Sequence, residues 1–167
     1  MKKNELIQEM EKYYGEDKNR IKHTRKVLNY AEEIMKKSYN LNFDRKIVIY
    51  TAILHDIGIP LSEEKYGSAA GKYQEIEGPP IARKIMKSCS IPPVEIEEVC
   101  EIIANHHSPG EIDSDNFKIF YDADWLVNFP AGYNIRENQD KIESIVDKLY
   151  YTEAAKKIAR EEFILEE

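Results

Sequence analysis

One stretch constrains the fold more than any other: Ile47-Val48-Ile49-Tyr50-Thr51-Ala52-Ile53-Leu54-His55-Asp56-Ile57-Gly58. Its β-branched start would suit a strand, but it lacks polar–apolar alternation, runs long and follows a capping residue, Asn42. The pattern therefore predicts a helix. A helix that is apolar almost all round has to be covered all round, so the rest of the chain must supply several packing partners. At its end an imidazole and a carboxylate stand side by side, ahead of Gly58 and Pro60, which predict the stop. Both side chains lose hydration at a buried helix end and need a partner; a divalent metal is one.

Composition narrows the setting. Of 167 residues, 42% are hydrophobic and 33% charged, enough to bury a core without disulfides or a structural metal, which predicts one globular domain over residues 1–167. No apolar run reaches membrane-spanning length, and the first residues turn amphipathic at once. A cytoplasmic protein with no membrane partner is the expectation. Cys89 and Cys100 sit in helical apolar patterns without C-x-x-C spacing and are predicted to be buried free thiols. The net charge of −7 disfavours stable binding to nucleic acid. A small anionic substrate stays compatible, because a metal and a few local cations outweigh distant surface charge.

Around the central helix the periodicity predicts an all-α bundle of about six or seven helices. Asn4 is the expected cap of a first helix, about 5–14, stopped by Gly15. Asp17 is the expected cap of a second, running to about residue 39 with Ile21, Val27, Leu28, Ala31, Ile34 and Met35 on one side. Over 61–77 the periodicity fades while Gly67, Ser68, Gly71 and Gly78 appear, which predicts a loop or lid, with room for a short helical piece, carrying Lys65, Tyr66, Lys72, Tyr73 and Gln74. Pro79-Pro80 and Pro92-Pro93 then predict two helix starts, the second helix with Val94, Ile96, Val99, Cys100, Ile102 and Ile103 inward. Another helix is capped within 113–116, and one last amphipathic helix, about 136–164, braces a core spanning about 18–130.

Polar residues fall on the inward faces of these helices. His23 lies four residues before Val27, and for such a residue a hydrogen-bonded core histidine is the commoner fate, a ligand the other. Asp122 and Asp124 stand in so apolar a segment that the pair is unusual unless one of them is capping or bound. His106 is the inward member of Asn105-His106-His107, although a cationic pair on the surface also suits a helix C-terminus. His23, His55, Asp56 and Asp124 together offer two imidazoles and two carboxylates. That set suits Mn²⁺, Fe²⁺, Mg²⁺, Co²⁺ or Zn²⁺ and leaves positions for water and a phosphoryl oxygen. Arg20, one turn before His23, carries a guanidinium suited to phosphate.

His23, then Ile-Leu-His55-Asp56-Ile-Gly, then Ala-Asp124-Trp-Leu, in that order, resemble the HD superfamily of metal-dependent phosphohydrolases over about residues 20–128. Arg20, Gly78-Pro79-Pro80-Ile81-Ala82 and Ile102-Ile103-Ala104-Asn105-His106-His107 add to the likeness. The resemblance implies an all-helical bundle with His23, His55, Asp56 and Asp124 as metal ligands. It also implies hydrolysis of small phosphate monoesters or diesters, nucleotides among them. Gln74 stands where two-metal relatives have another histidine, which implies one ion per chain unless His106 and His107 hold a second. Ile59 stands where cyclic-nucleotide branches often have lysine. Ile59-Pro60 also interrupts the His-Asp-x-x-Glu patterns of other branches, so the substrates of those branches do not carry over.

The expected chemistry is attack by a metal-activated water. Asp56 serves as ligand and water-orienting base, and His106 or His107 protonates the leaving oxygen or binds phosphate. Arg20, Lys72, Gln74 and Asn128 are the expected substrate contacts. Two other classes stay open: a di-iron oxygenase of the same superfamily, and a non-catalytic module that binds metal or nucleotide. Self-association is left open as well.

Overall fold

The protein was analysed as a computed structural model, which describes residues 1–164. Among the described residues the fold is all-helical, with nine helices and no strand. The central helix is α3, Arg45–Leu54, and every residue from Ile47 to Leu54 is buried. Its cap is Asp44, whose carboxylate accepts the Lys46 N–H at 2.8 Å. Asn42 instead donates its own N–H to Asp115, 2.8 Å away, and so ties the segment ahead of α3 to a distant helix.

Four neighbours cover α3. The first, α1 (Lys3–Tyr14), lays Leu6, Met10 and Tyr14 inward at four-residue spacing. It ends where Gly15 turns left-handed at φ 59°. Its N-cap position is Lys2 and makes no side-chain cap bond, so Asn4 lies inside the helix rather than capping it. The second, α2 (Lys18–Lys37), is capped by Asp17 as expected and turns Val27, Leu28, Ala31, Ile34 and Met35 inward. The other two are α6 (Pro93–Ala104) and α7 (Asp115–Gly132), the latter capped by Ser114, which accepts the Phe117 N–H. Each fully buried Ile or Leu of α3 contributes roughly 2 kcal/mol of apolar burial, enough to make this helix the centre of the core. Val94, expected inward, is 75% exposed in the first turn of α6. Cys89 and Cys100 are buried free thiols.

Residues 61–77 are mostly helical, with only 67–70 left as a loop. They form most of α4 (Ile59–Tyr66) and the first turns of α5 (Gly71–Ser88), which runs on through Pro79 and Pro80. Proline inside a helix removes a backbone hydrogen bond, yet tertiary packing holds the helix together here. Of the glycines that read as loop signals, Gly67 ends α4 in a left-handed conformation, whereas Gly78 serves close approach. A Cβ at Gly58 would lie 2.6 Å from the Gly78 backbone nitrogen, and one at Gly78 would lie 2.9 Å from Ile103 Cγ2. Gly58 has an ordinary φ of −78° and begins α4, so packing, not a left-handed stop, requires it.

The expected brace is also two helices, α8 (Gln139–Leu149) and α9 (Glu153–Phe163). The break between them is pinned to α7. Asp122 is fully buried and accepts the Tyr151 N–H at 2.9 Å and the Thr152 N–H at 2.7 Å. Thr152 then caps α9 by accepting the Ala155 N–H. Among the described residues no helix is long and apolar enough to cross a membrane.

Candidate metal centre

The ends and inward faces of α2, α3 and α7 meet around one point. His23 Nε2, on α2, lies 3.4 Å from Asp56 Oδ2 and 3.2 Å from Asp124 Oδ1. His55 Nε2, at the end of α3, lies 3.2 Å from that Asp56 oxygen and 3.4 Å from that Asp124 oxygen. The two histidine Nε2 atoms are 3.4 Å apart. Donors bound at about 2.1 Å to a single ion sit about 3.0 Å apart at right angles and about 3.4 Å apart in a tetrahedron. The spacing of His23, His55 and Asp56 fits a single first-row cation or Mg²⁺, and Asp124 Oδ1 approaches the same two imidazoles.

Two further features match a cation. Asp124 Oδ1 is buried with no hydrogen-bond partner, a costly arrangement for a carboxylate unless something else takes up its charge. The carboxylates are also held in the ionised form that a ligand needs. Burial opposes ionisation of Asp56, but His55 and His106 outweigh it and hold the carboxyl well below its ordinary range. Burial likewise opposes Asp124, and His23 and His55 prevail. His55 is the reciprocal case: burial pulls it down, while Asp56 and Asp124 lift it well above its usual value.

The rings are oriented from behind. His55 Nδ1 faces the Ala52 carbonyl at 3.0 Å, which turns Nε2 toward the carboxylates. His106, at the end of α6, does the same with the Ile103 carbonyl at 2.7 Å. Its Nε2 lies 3.8 Å from Asp56 Oδ1, buried and without a hydrogen-bond partner. A histidine held by a backbone carbonyl in this way is a recurring support for metal ligands. Phe120, one turn before Asp124, backs the cluster, its ring centroid 5.2 Å from that of His55 and 6.2 Å from that of His106. Asp56, His106 and His107 form a second group that could hold an ion, adjoining the first through Asp56.

The remaining expected contacts are placed less directly. His107 is the outer, solvent-exposed member of its pair; desolvation of the ring and then His106 lower it to about 4. Its Nε2 lies 3.1 Å from Gln74 Oε1. Arg20 bridges Asp17 at 2.5 Å and Glu63 of α4 at 2.8 Å. The Lys72 ammonium lies over the Tyr73 ring, 4.7 Å from its centroid. Asn128 is half-buried on α7, one turn beyond Asp124.

Two residues at the site escaped sequence reasoning. Tyr14 closes the Leu6–Met10 stripe, and its buried hydroxyl has no hydrogen-bond partner. Burial first, then the Asp56 charge, raises its phenol above the ordinary range. The four-residue spacing was the available signal. Glu75 accepts from the His107 N–H and the Ser108 hydroxyl, a grip that no local pattern announces.

The family model described as HD domain matches residues 20–149. The chain therefore belongs to the HD domain family, most of whose members are metal-dependent phosphohydrolases. The match contains both candidate ion groups, whereas Tyr14 lies ahead of it. No curated protein and no solved structure matches the chain.

Proposed function

We propose that the chain hydrolyses a small phosphate monoester or diester, a class that includes nucleotides, using a divalent ion held by His23, His55, Asp56 and Asp124. The observation that carries this reading is the cluster of His23, His55 and Asp56 donor atoms, with the buried Asp124 Oδ1 set against both imidazoles and meeting no hydrogen-bond criterion. Bound there, the ion polarises phosphorus and lowers the pKa of a bound water.

The protein groups divide the remaining work. Asp56 uses Oδ2 toward His23 and His55 and has Oδ1 on the His106 side. Oδ1 takes a proton from the attacking water as the new O–P bond forms. His106 Nε2 relays a proton to the leaving oxygen as the old P–O bond breaks, so the charges balance without a separate acid at Ile59. Arg20 meets the phosphoryl oxygens by exchanging one of its two carboxylate partners for them. Lys72 and Asn128 contact the outer parts of the substrate.

The group formed by Asp56, His106 and His107 favours a second reading, in which Asp56 bridges two ions. Metal analysis separates the two: one ion per chain supports the first, two the second, and two irons with oxygen uptake point to an oxygenase. The direct test is a panel of phosphomonoesters, phosphodiesters and nucleotides, assayed with protein reconstituted with Mn²⁺, Fe²⁺, Mg²⁺, Co²⁺ or Zn²⁺. Metal-dependent phosphate or nucleotide release is expected. Retained metal binding with no turnover on any compound would make the chain a binding module instead.

A further inference from the structure

Two histidines end α6, and their rings are held by different means. His106 Nδ1 faces a backbone carbonyl, as does that of His55. A carbonyl can only accept, so each ring carries a proton on Nδ1, and its neutral form keeps Nε2 bare. His107 has a side-chain amide instead, Gln74 Oε1, 3.1 Å from its Nε2.

An amide can be turned either way, and its oxygen and nitrogen are told apart by their partners. The partner here is decisive. Gln74 Nε2 lies 2.7 Å from the Ala69 carbonyl oxygen, which accepts and cannot donate. The amide nitrogen must therefore face Ala69, and the amide oxygen must face His107. That oxygen is also an acceptor only, so His107 carries its proton on Nε2, and Nδ1 of the neutral ring is left bare. His106 and His107 thus have opposite tautomers on adjacent residues.

The surroundings hold this arrangement. Glu75, next to Gln74 on α5, accepts the His107 backbone N–H at 3.0 Å and the Ser108 hydroxyl at 2.9 Å. Gly71, at the start of α5, gives the ring its space: a Cβ there would lie 2.7 Å from His107 Cβ and Cγ. The first turns of α5 thus form a cradle for one imidazole, and Gln74 is buried within it.

We propose that Gln74 is a positioning residue that holds the Nε2–H of His107 and thereby leaves Nδ1 as the bare, accepting nitrogen of that ring. One donor atom each from Asp56, His106 and His107 already lies within 4.8 Å of the other two. Gln74 acts on this group through His107, and this role needs no direct bond from Gln74 to an ion. The consequence for turnover rests on the hydrolytic reading of the site; the tautomer does not.

Nitrogen-15 NMR of the full chain in chelator tests the tautomer, with the His107 signals assigned by their loss in His107→Gln. The wild type is expected to show a protonated Nε2 and a bare Nδ1. Gln74→Met, similar in shape but without the acceptor, is expected to give averaged tautomers. Gln74→Glu, which restores an acceptor oxygen, is expected to return the proton to Nε2. A wild-type His107 protonated on Nδ1 overturns the proposal without any variant, and so does a Gln74→Met spectrum matching wild type. Zinc titration adds a second readout: losing such a support weakens metal affinity by about tenfold or more, here for binding that involves His107. Equal zinc titrations for wild type and Gln74→Met would overturn the role toward metal. A chain with no phosphoesterase activity would sink the hydrolytic reading and leave the nitrogen pattern unchanged.

Discussion

Asp122 and Asp124 lie two residues apart on α7, both among apolar neighbours, and they do opposite things. Two residues advance a helix by about 200°, so the carboxylates leave on opposite sides. Asp122 accepts two backbone N–H groups and pins the turn between α8 and α9. Burial pushes its carboxyl up to about 6 even against those donors. Asp124 faces two imidazoles and another carboxylate and keeps a buried oxygen without a hydrogen-bond partner. A buried acid with its hydrogen bonds complete is structural. One left incomplete beside other donors is where a ligand is expected.

Exchange experiments sharpen that contrast, and the largest effect is expected at the incomplete acid. Asp124→Ala should reduce metal-dependent phosphoester turnover at least about 1,000-fold, to background, because a ligand and its charge are gone. Its helical circular dichroism should stay close to wild type, and its melting temperature in chelator should fall less than that of Asp122→Ala, since Asp124 contacts the two imidazoles and strands no backbone donor. Asp122→Ala should reverse the pattern. It strands two backbone donors and should cost about 3 kcal/mol in denaturant unfolding, with turnover retained below the melting transition. Equal losses of activity in the two variants would break the comparison.

Gly58→Ala tests packing alone at the edge of the site. The added methyl would press on the Gly78 backbone, and overpacking of this kind costs about 2 kcal/mol. Unfolding in urea measures it, and an unchanged midpoint would show that α4 and α5 can part at no cost. The smallest effect is expected at the exposed Arg83–Glu97 pair between α5 and α6. Glu97→Ala should shift stability by no more than about 0.5 kcal/mol and leave activity unchanged.

The central helix, the Asp17 cap, the inward His106 and the all-helical class were legible in the sequence because each rests on short-range spacing. Leu6, Met10 and Tyr14 even share one four-residue stripe that leads to the site. The errors came where distant segments decide. Gly58 and Gly78 read as turn residues but are there because two helices approach at that point. Pro79-Pro80 read as a start but lie inside α5. The break in the brace depends on Asp122, about thirty residues earlier. The ligand types could be gathered from their order along the chain, but their convergence and the chain of contacts from Ala69 through Gln74 to His107 needed coordinates.

The central claim is that Asp124, with His23, His55 and Asp56, holds a metal, while its neighbour Asp122 does not. Metal content per chain, measured by elemental analysis on wild type, Asp122→Asn and Asp124→Ala after the same reconstitution and desalting, tests it most directly. The account predicts wild-type occupancy in Asp122→Asn and loss of the ion in Asp124→Ala. Stoichiometric metal in Asp124→Ala would contradict it.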